Sequence, residues 1–132
     1  VKIWPDDIRQ IIEFFPLNSF SEIKILFPDP WPKFKHKDRR LIQNNFLSSL
    51  YDILKPQGII TLGTDHSIMK SWILETFQTH FGFEWMAEEA DDWKNRPSDC
   101  FATKYEKKSI IERRKPNWFV FQKKFLNYKN PI

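Results

Sequence analysis

Glycine is scarce in this chain: Gly58, Gly63 and Gly82 are the three glycines in 132 residues, and none belongs to a Gly-x-Gly-x-x-Gly turn. A loop that wraps a phosphate in backbone N–H groups needs such a turn, so no phosphate- or nucleotide-cradling loop is recognisable. Cysteine is scarcer still. Cys100 stands alone, which excludes an internal disulfide and a cysteine metal cluster and fits a reducing, cytoplasmic setting. No apolar run approaches a membrane span, so no membrane partner is expected. His36, His66 and His80 have no metal-ligand spacing, and no Ser/His/Asp or Cys/His pairing can be read. Hydrolytic nucleophile chemistry is therefore unsupported. The chain starts at Val1 without a signal peptide, and it can begin inside a longer protein.

What is present is apolar, aromatic and locally cationic. Hydrophobic residues at 41% and aromatics at 17% describe a folded globular chain, and the length suits one domain with a modest core. The formal net charge of +4 gains meaning only because it is clustered.

The sequence is organised around Phe27-Pro28-Asp29-Pro30-Trp31-Pro32-Lys33 and the run Lys35-His36-Lys37-Asp38-Arg39-Arg40 behind it. The short β-branched stretch Ile23–Phe27 predicts a buried strand. The motif then sits where that strand ends. Prolines at 28, 30 and 32 fix their own φ and push the residue before each out of the helical region, so the segment is expected to be extended. Ligands of open α/β sheets bind beyond the carboxyl ends of strands, which makes Asp29 a candidate site residue; a turn-capping role is the plain alternative.

Taken in order, Val1–Trp4 reads as the tail of a strand ended by Pro5-Asp6-Asp7, and Ile8, Ile11, Ile12 and Phe15 follow helical spacing to about residue 15. Asp6 and Asp7 suit either an N-cap or a ligand contact. Ile42, Phe46, Leu50, Ile53 and Leu54 form one face of a helix over 40–54. Ile59–Thr64 is a near-continuous buried strand with Asp65 at its carboxyl end. A helix over 67–81 follows, with Gly82 as its expected cap, then a short strand at 83–87. The acidic loop Glu88–Asp92 has no evident chemistry. Residues 93–115 carry eight cationic side chains and read as loop or short helix over the ligand edge; residues 118–124 form a final strand and the last eight residues a loose tail. Strands alternating with helices, then a strand pair, predict a three-layer α/β sheet.

Asp6 or Asp7, Asp29 and Asp65 each follow a strand, so a parallel sheet would gather them in one cleft. That arrangement favours a cationic or hydrogen-bond-donating ligand. Magnesium is a competing explanation, but the neighbouring lysines and arginines would compete with it, and the reading takes no metal. The run from Lys33 to Arg40, with Trp31 and Phe34 beside it, suits a nucleic-acid backbone and stacked bases.

These residues, with Gly63-Thr64-Asp65 and Thr103-Lys104-Tyr105-Glu106, resemble the bacterial tRNA (guanine-N7-)-methyltransferase family over essentially the whole chain. Arg96-Pro97-Ser98-Asp99 and Lys108 are similar to its alphaproteobacterial branch. The resemblance implies the carboxy-terminal part (1–132) of a single Rossmann-like class I methyltransferase domain, a three-layer sandwich here incomplete. The family's strand order is 3-2-1-4-5-7-6, and strands 1 and 2, with the Gly-rich cofactor loop, would precede this chain. The residues at 1–4 would then lack a neighbour, leaving apolar strand edges exposed. The implied activity is methyl transfer from S-adenosylmethionine to N7 of a guanosine in the tRNA variable loop, inactive in this fragment alone. Asp29 would serve cofactor binding and catalysis, and Asp7 or Asp6 would contact the cofactor. Lys33, Asp65, Thr103, Lys104, Tyr105 and Glu106 would contact the substrate, and Lys35, His36, Lys37, Arg39 and Arg40 the RNA. Gln57 and Arg114 stand where the family has glycine. The rival readings are a noncatalytic RNA-binding fragment or subunit lacking the cofactor site, and an amino-group methyltransferase with an Asp-Pro-Pro-aromatic loop; a single proline separates Asp29 from Trp31 here.

Overall fold

The computed structural model describes residues 1–125; from position 126 on, the expected tail lies outside them. Four strands form one sheet in the order β1-β2-β4-β3, with β1 Phe20–Leu26, β2 Leu54–Thr64, β3 Phe83–Trp85 and β4 Asn117–Lys123. β1 and β2 run parallel, whereas β4 is antiparallel to both β2 and β3. The helices are α1 Asn44–Ile53, α2 Ser67–Thr79, α3 Asp91–Lys94 and α4 Lys104–Ile111.

Strand parity sorts the two sheet faces. Ile60 and Leu62 of β2 pair with Phe121 and Phe119 of β4 and join Phe46, Leu47, Leu50, Met69, Ile73 and Phe77 of α1 and α2 in the core. The Phe77 ring stacks on Phe121 at 4.1 Å. Each such fully buried side chain contributes about 1.5–3 kcal/mol, so this face carries most of the fold. On the opposite face, Gly63 pairs with Trp118, whose ring leans so close that a Cβ on Gly63 would lie 2.5 Å from it. There Phe27 meets Trp118 edge-on at 5.9 Å and Tyr105 of α4 in a stacked arrangement at 6.3 Å. Lys24 ties this face to the 95–103 segment by donating to the Asp99 carbonyl at 2.7 Å. The three expected layers are present.

Several expectations are corrected. Residues 1–4 form no strand, and Val1, Ile3 and Trp4 are exposed: a strand needs a neighbour, and the sheet has none to give them. Instead of a helix over 7–15 there are two short 3-10 turns, Ile8–Gln10 and Ile12–Phe14. β1 is only partly buried, because β2 alone pairs with it and Glu22 and Lys24 are exposed. α1 begins at Asn44 rather than 40, since Arg40 turns away to serve another loop. β2 starts at Leu54, and residues 55–58 make a bulge between the pairs Phe20–Leu54 and Glu22–Ile59, which is where a strand tolerates Pro56. Gln57 lies at φ 63, a left-handed position that glycine fills without strain. α2 stops at Thr79 and β3 at Trp85, short of the expected ends. Gly82 is no left-handed cap; a Cβ there would sit 2.6 Å from the Tyr51 ring, so close approach demands the glycine.

Candidate active site

Parallel β1 and β2 bring Phe27 and Asp65 to one sheet edge, where the Phe27 N–H donates to the Gly63 carbonyl at 2.7 Å. The chain then leaves the strand abruptly. Phe27 has φ 53 and Trp31 φ 41, so the residues before Pro28 and Pro32 are left-handed rather than extended as expected. Bulky residues are uncommon there, at a cost of about 1–3 kcal/mol each. The turn off the strand end is held by what surrounds it. Arg40, buried, donates through Nε to the Pro30 carbonyl at 3.0 Å and through Nη2 to the Trp31 carbonyl at 3.0 Å, and its guanidinium lies 4.6 Å from the centre of the Trp72 ring. Expected on the RNA surface, Arg40 is instead a strut behind the motif, because two carbonyls left without N–H partners need a fork of donors.

The rest of the basic run coils into a 3-10 helix, Phe34–Arg39, that folds back over Trp31. The Arg39 guanidinium lies 5.1 Å from the Trp31 ring centre, the His36 ring meets Trp31 edge-on at 5.8 Å, and Lys37 Nζ lies 4.4 Å from the centre of the Phe34 ring. Lys33, Lys35 and Arg39 are exposed, His36 and Lys37 half-buried.

The gathered carboxylates divide between two clefts. Asp29, exposed on its proline frame, lines both. One cleft, about 400 Å³, sets Asp29 with Asp65, His66, Tyr105, Lys108 and Arg114. The other, about 670 Å³, sets it with Asp7, Arg9, Trp31, Asp38 and Arg39. Asp6 turns away and accepts the Asp7 backbone N–H at 2.8 Å. Asp7 both caps and faces a cleft: it accepts the Arg9 N–H at 2.9 Å and pairs with the Arg9 guanidinium at 2.6 Å. The Arg9 side chain, its backbone N–H and its charge together hold the Asp7 carboxyl below the usual carboxylate value. Burial would raise the Asp65 carboxyl, but the Ser109 hydroxyl and the Arg114 guanidinium, 2.7 Å away, outweigh it and hold it low.

Thr103-Lys104-Tyr105-Glu106 opens α4, with Thr103 as its N-cap. The Thr103 hydroxyl accepts the Glu106 N–H at 3.1 Å. Buried Glu106 has Arg96 Nε 3.1 Å away as an ion pair without hydrogen-bond alignment; Coulombic attraction tolerates the poor angle. Lys104 lies against the Tyr105 ring at 5.3 Å. Of the four residues, only Tyr105 lines the cleft with Asp29, and the others orient it. Arg9, His66 and Arg114 were missed as cleft residues, and Ser109 as the buried hydroxyl that holds Asp65. Ser109 was findable, since it falls four residues after Tyr105 on the same helix face; Arg114 reaches Asp65 only through the turn after α4, a long-range placement with no local signal. Among the described residues, no group of three or more His, Cys, Asp or Glu is placed to hold a metal ion, and no helix is long and apolar enough to cross a membrane.

Comparison with known proteins gives this geometry a family. The chain is 34% identical over 124 residues to the tRNA (guanine-N(7)-)-methyltransferase of Rhodospirillum rubrum, covering 94% of this chain and 49% of that protein. It is 40% identical over 122 residues to the protein of the same name from Hyphomonas neptunium, covering 92% and 55%, and 35% identical over 121 residues to that from Agrobacterium fabrum, covering 92% and 52%. The chain thus spans about half the length of the curated relatives it matches. The model of a family described as "Putative methyltransferase" matches residues 1–120, and the chain belongs to that methyltransferase family.

Proposed function

We propose that this chain is the carboxy-terminal part of an S-adenosylmethionine-dependent tRNA (guanine-N7-)-methyltransferase. The observation that carries the reading is Asp29: a carboxylate on a proline frame, at the shared edge of two parallel strands, opening on two adjoining clefts. The strand order β1-β2-β4-β3, with β4 antiparallel, agrees with the 4-5-7-6 half of a class I methyltransferase sheet. The unpaired edge of β1 is where strand 1 of the complete domain would add.

The residues fit S-adenosylmethionine in part. Asp29, with Pro28 and Trp31 as apolar neighbours, suits a sulfonium-bearing group, while Asp7 is already matched by Arg9. When bound, S-adenosylmethionine supplies an electrophilic methyl group. Guanine N7 carries an unprotonated lone pair, so the residues need not remove a proton. Asp29, which lines both clefts, would place its negative charge beside the sulfonium-bearing group and the base alike, and alignment with electrostatic placement would supply the rate. Tyr105 offers a ring face to the base. Lys33, Lys35, His36, Lys37 and Arg39 take the RNA backbone.

The test is transfer of labelled methyl from S-adenosylmethionine to unmodified tRNA by this chain joined to its protein's upstream sequence, with nucleosides of the product resolved by mass spectrometry. N7-methylguanosine is expected. Methylated amino groups would favour the amino-group methyltransferases with an Asp-Pro-Pro-aromatic loop, and tight tRNA binding without cofactor binding would favour a noncatalytic RNA-binding subunit.

A further inference from the structure

Beyond Arg114 from the Asp29 cleft lies a second depression, about 600 Å³, whose wall holds Lys70, Lys94, Arg113, Arg114 and Lys115 and no carboxylate. Its remaining lining includes the Trp93 ring, with Ile110 and Pro116. Three separate elements deliver these cations: α2, α3 and the turn that joins α4 to β4. Two of the five are committed within the fold. Arg114 pairs with Asp65 and Glu112, and Lys70 donates to the Lys115 carbonyl at 2.8 Å. Lys94, Arg113 and Lys115 are exposed, and among the described residues none of them makes an ion pair.

Like charges converging from three elements repel one another in the folded state. A polyanion relieves that repulsion and releases its own counterions in doing so. The Trp93 ring, with Lys94 Nζ 5.4 Å from its centre, adds an aromatic face of the kind on which unpaired bases stack. The depression also has a defined relation to the chemistry. Arg114 lines both it and the Asp29–Asp65 cleft, and Asp29 lines both that cleft and the one holding Arg39 and Trp31. Three depressions therefore follow in series: the cationic one reached through Arg114, the Asp29–Asp65 cleft, and a cleft in which Arg9 and Arg39 stand with Asp7 and Asp38, next to the basic run. The β1 edge, open to further strands, lies on the other side of β2 from β4 and the turn that leads into it.

Building on the reading of the chain as a tRNA methyltransferase, we propose that the Lys94–Arg113–Lys115 depression takes backbone phosphates of the same RNA whose guanine enters the Asp29–Asp65 cleft. The RNA then spans the cleft from two cationic ends, one at residues 33–39 and one at residues 94 and 113–115. Held on both sides, the base is presented to Asp29 at a set depth.

The test is tRNA binding by this chain, with an unmodified tRNA transcript as probe, across a salt series. Replacing Lys94, Arg113 and Lys115 together by alanine is expected to weaken binding about tenfold and to lower the slope of log affinity against log salt by about two, given roughly 0.7–0.9 per phosphate. Circular dichroism of this exposed-surface variant checks its fold. In parallel, acetylation footprinting of the unmodified chain is expected to show Lys94 and Lys115 protected by tRNA, a measurement that needs no variant. An unchanged slope and no protection, while a Lys35, Lys37 and Arg39 alanine variant does flatten the slope, would overturn this proposal and leave the tRNA reading standing. Absence of any salt-dependent tRNA binding by the unmodified chain would overturn both. Protection by phosphatidylglycerol vesicles but not by tRNA would reassign the depression to a membrane surface.

Discussion

Arg114 donates through Nε to Asp65 Oδ2 at 2.7 Å, the same oxygen that accepts the Ser109 hydroxyl. Asp65 is thus a carboxylate already matched inside the fold, whereas Asp29 across the same cleft has neither an ion pair nor a side-chain hydrogen bond among the described residues.

Replacing Arg114 by alanine should let the Asp65 carboxyl rise toward its ordinary value, as read by carboxyl-resonance titration. The pair is partly exposed, so the stability loss at neutral pH should be about 0.5–1 kcal/mol. Because the folded Asp65 is held low, its contribution is complete above the unfolded carboxylate value and disappears as pH falls through the folded one. The variant and the parent should therefore converge in acid. A difference in urea midpoint that persists unchanged below the carboxylate range would contradict this assignment.

Asp29→Ala should abolish methyl transfer in the protein completed with its upstream sequence, while tRNA affinity stays within a few-fold. No proton is abstracted from guanine N7, so with chemistry limiting, the rate should not fall with pH as a carboxylic base would. A large loss of affinity would instead make Asp29 part of the RNA-holding structure.

Arg40→Ala should cost about 2–3 kcal/mol, since it strips the Pro30 and Trp31 carbonyls of charged donors in a buried setting. Arg40→Lys should recover little of this, because a single ammonium cannot reproduce the fork. Urea unfolding of the two variants side by side distinguishes this strut from a surface phosphate contact, whose loss would leave stability unchanged.

His80 is buried, and its Nδ1 accepts the Gly82 N–H at 3.0 Å, so Nε2 carries the proton toward the Ser48 hydroxyl 3.0 Å away. Burial depresses its pKa. The unfolded chain therefore takes up a proton at higher pH than the folded one, and stability should fall as pH drops below about 6.5 until the folded pKa is passed. His80→Gln should flatten this part of the stability profile between pH 5 and 7; a profile matching that of the parent would contradict the assignment to His80.

Gly63→Ala should destabilise by about 1–3 kcal/mol, because the new Cβ meets the Trp118 ring at 2.5 Å and that ring is wedged against Phe27. A shift in tryptophan fluorescence should accompany the loss.

The sequence announced the parts of this fold whose signals are local. Ile60 and Leu62 belong to an apolar run, and Phe46, Leu50 and Ile53 recur at helical spacing; both patterns led to the right elements. The proline-bracketed Asp29 also stands where the reading put it, at the end of the first parallel strand. What stayed hidden depended on partners distant in sequence. Val1–Trp4 has strand composition but no strand to pair with. Arg40 belongs to a cationic run by composition, yet the demand for donors at Pro30 and Trp31 draws it inside. Thr103 caps α4 and Glu106 pairs with Arg96, ties that composition alone does not show.

The fixed proline frame around Asp29 also decides which molecule must bend. With its φ angles locked, its carbonyls clamped by Arg40 and its tryptophan flanked by Arg39 and His36, the segment has little freedom to follow an arriving base. In the tRNA complex proposed above, the nucleotide rather than this segment would unstack and swing toward the carboxylate, so the energy of deformation would fall on the nucleic acid. A guanosine in a loosely stacked, single-stranded turn yields at a lower cost than one inside a helix. Selectivity among guanosines would then be set by the local stiffness of the RNA as much as by any contact to the base itself.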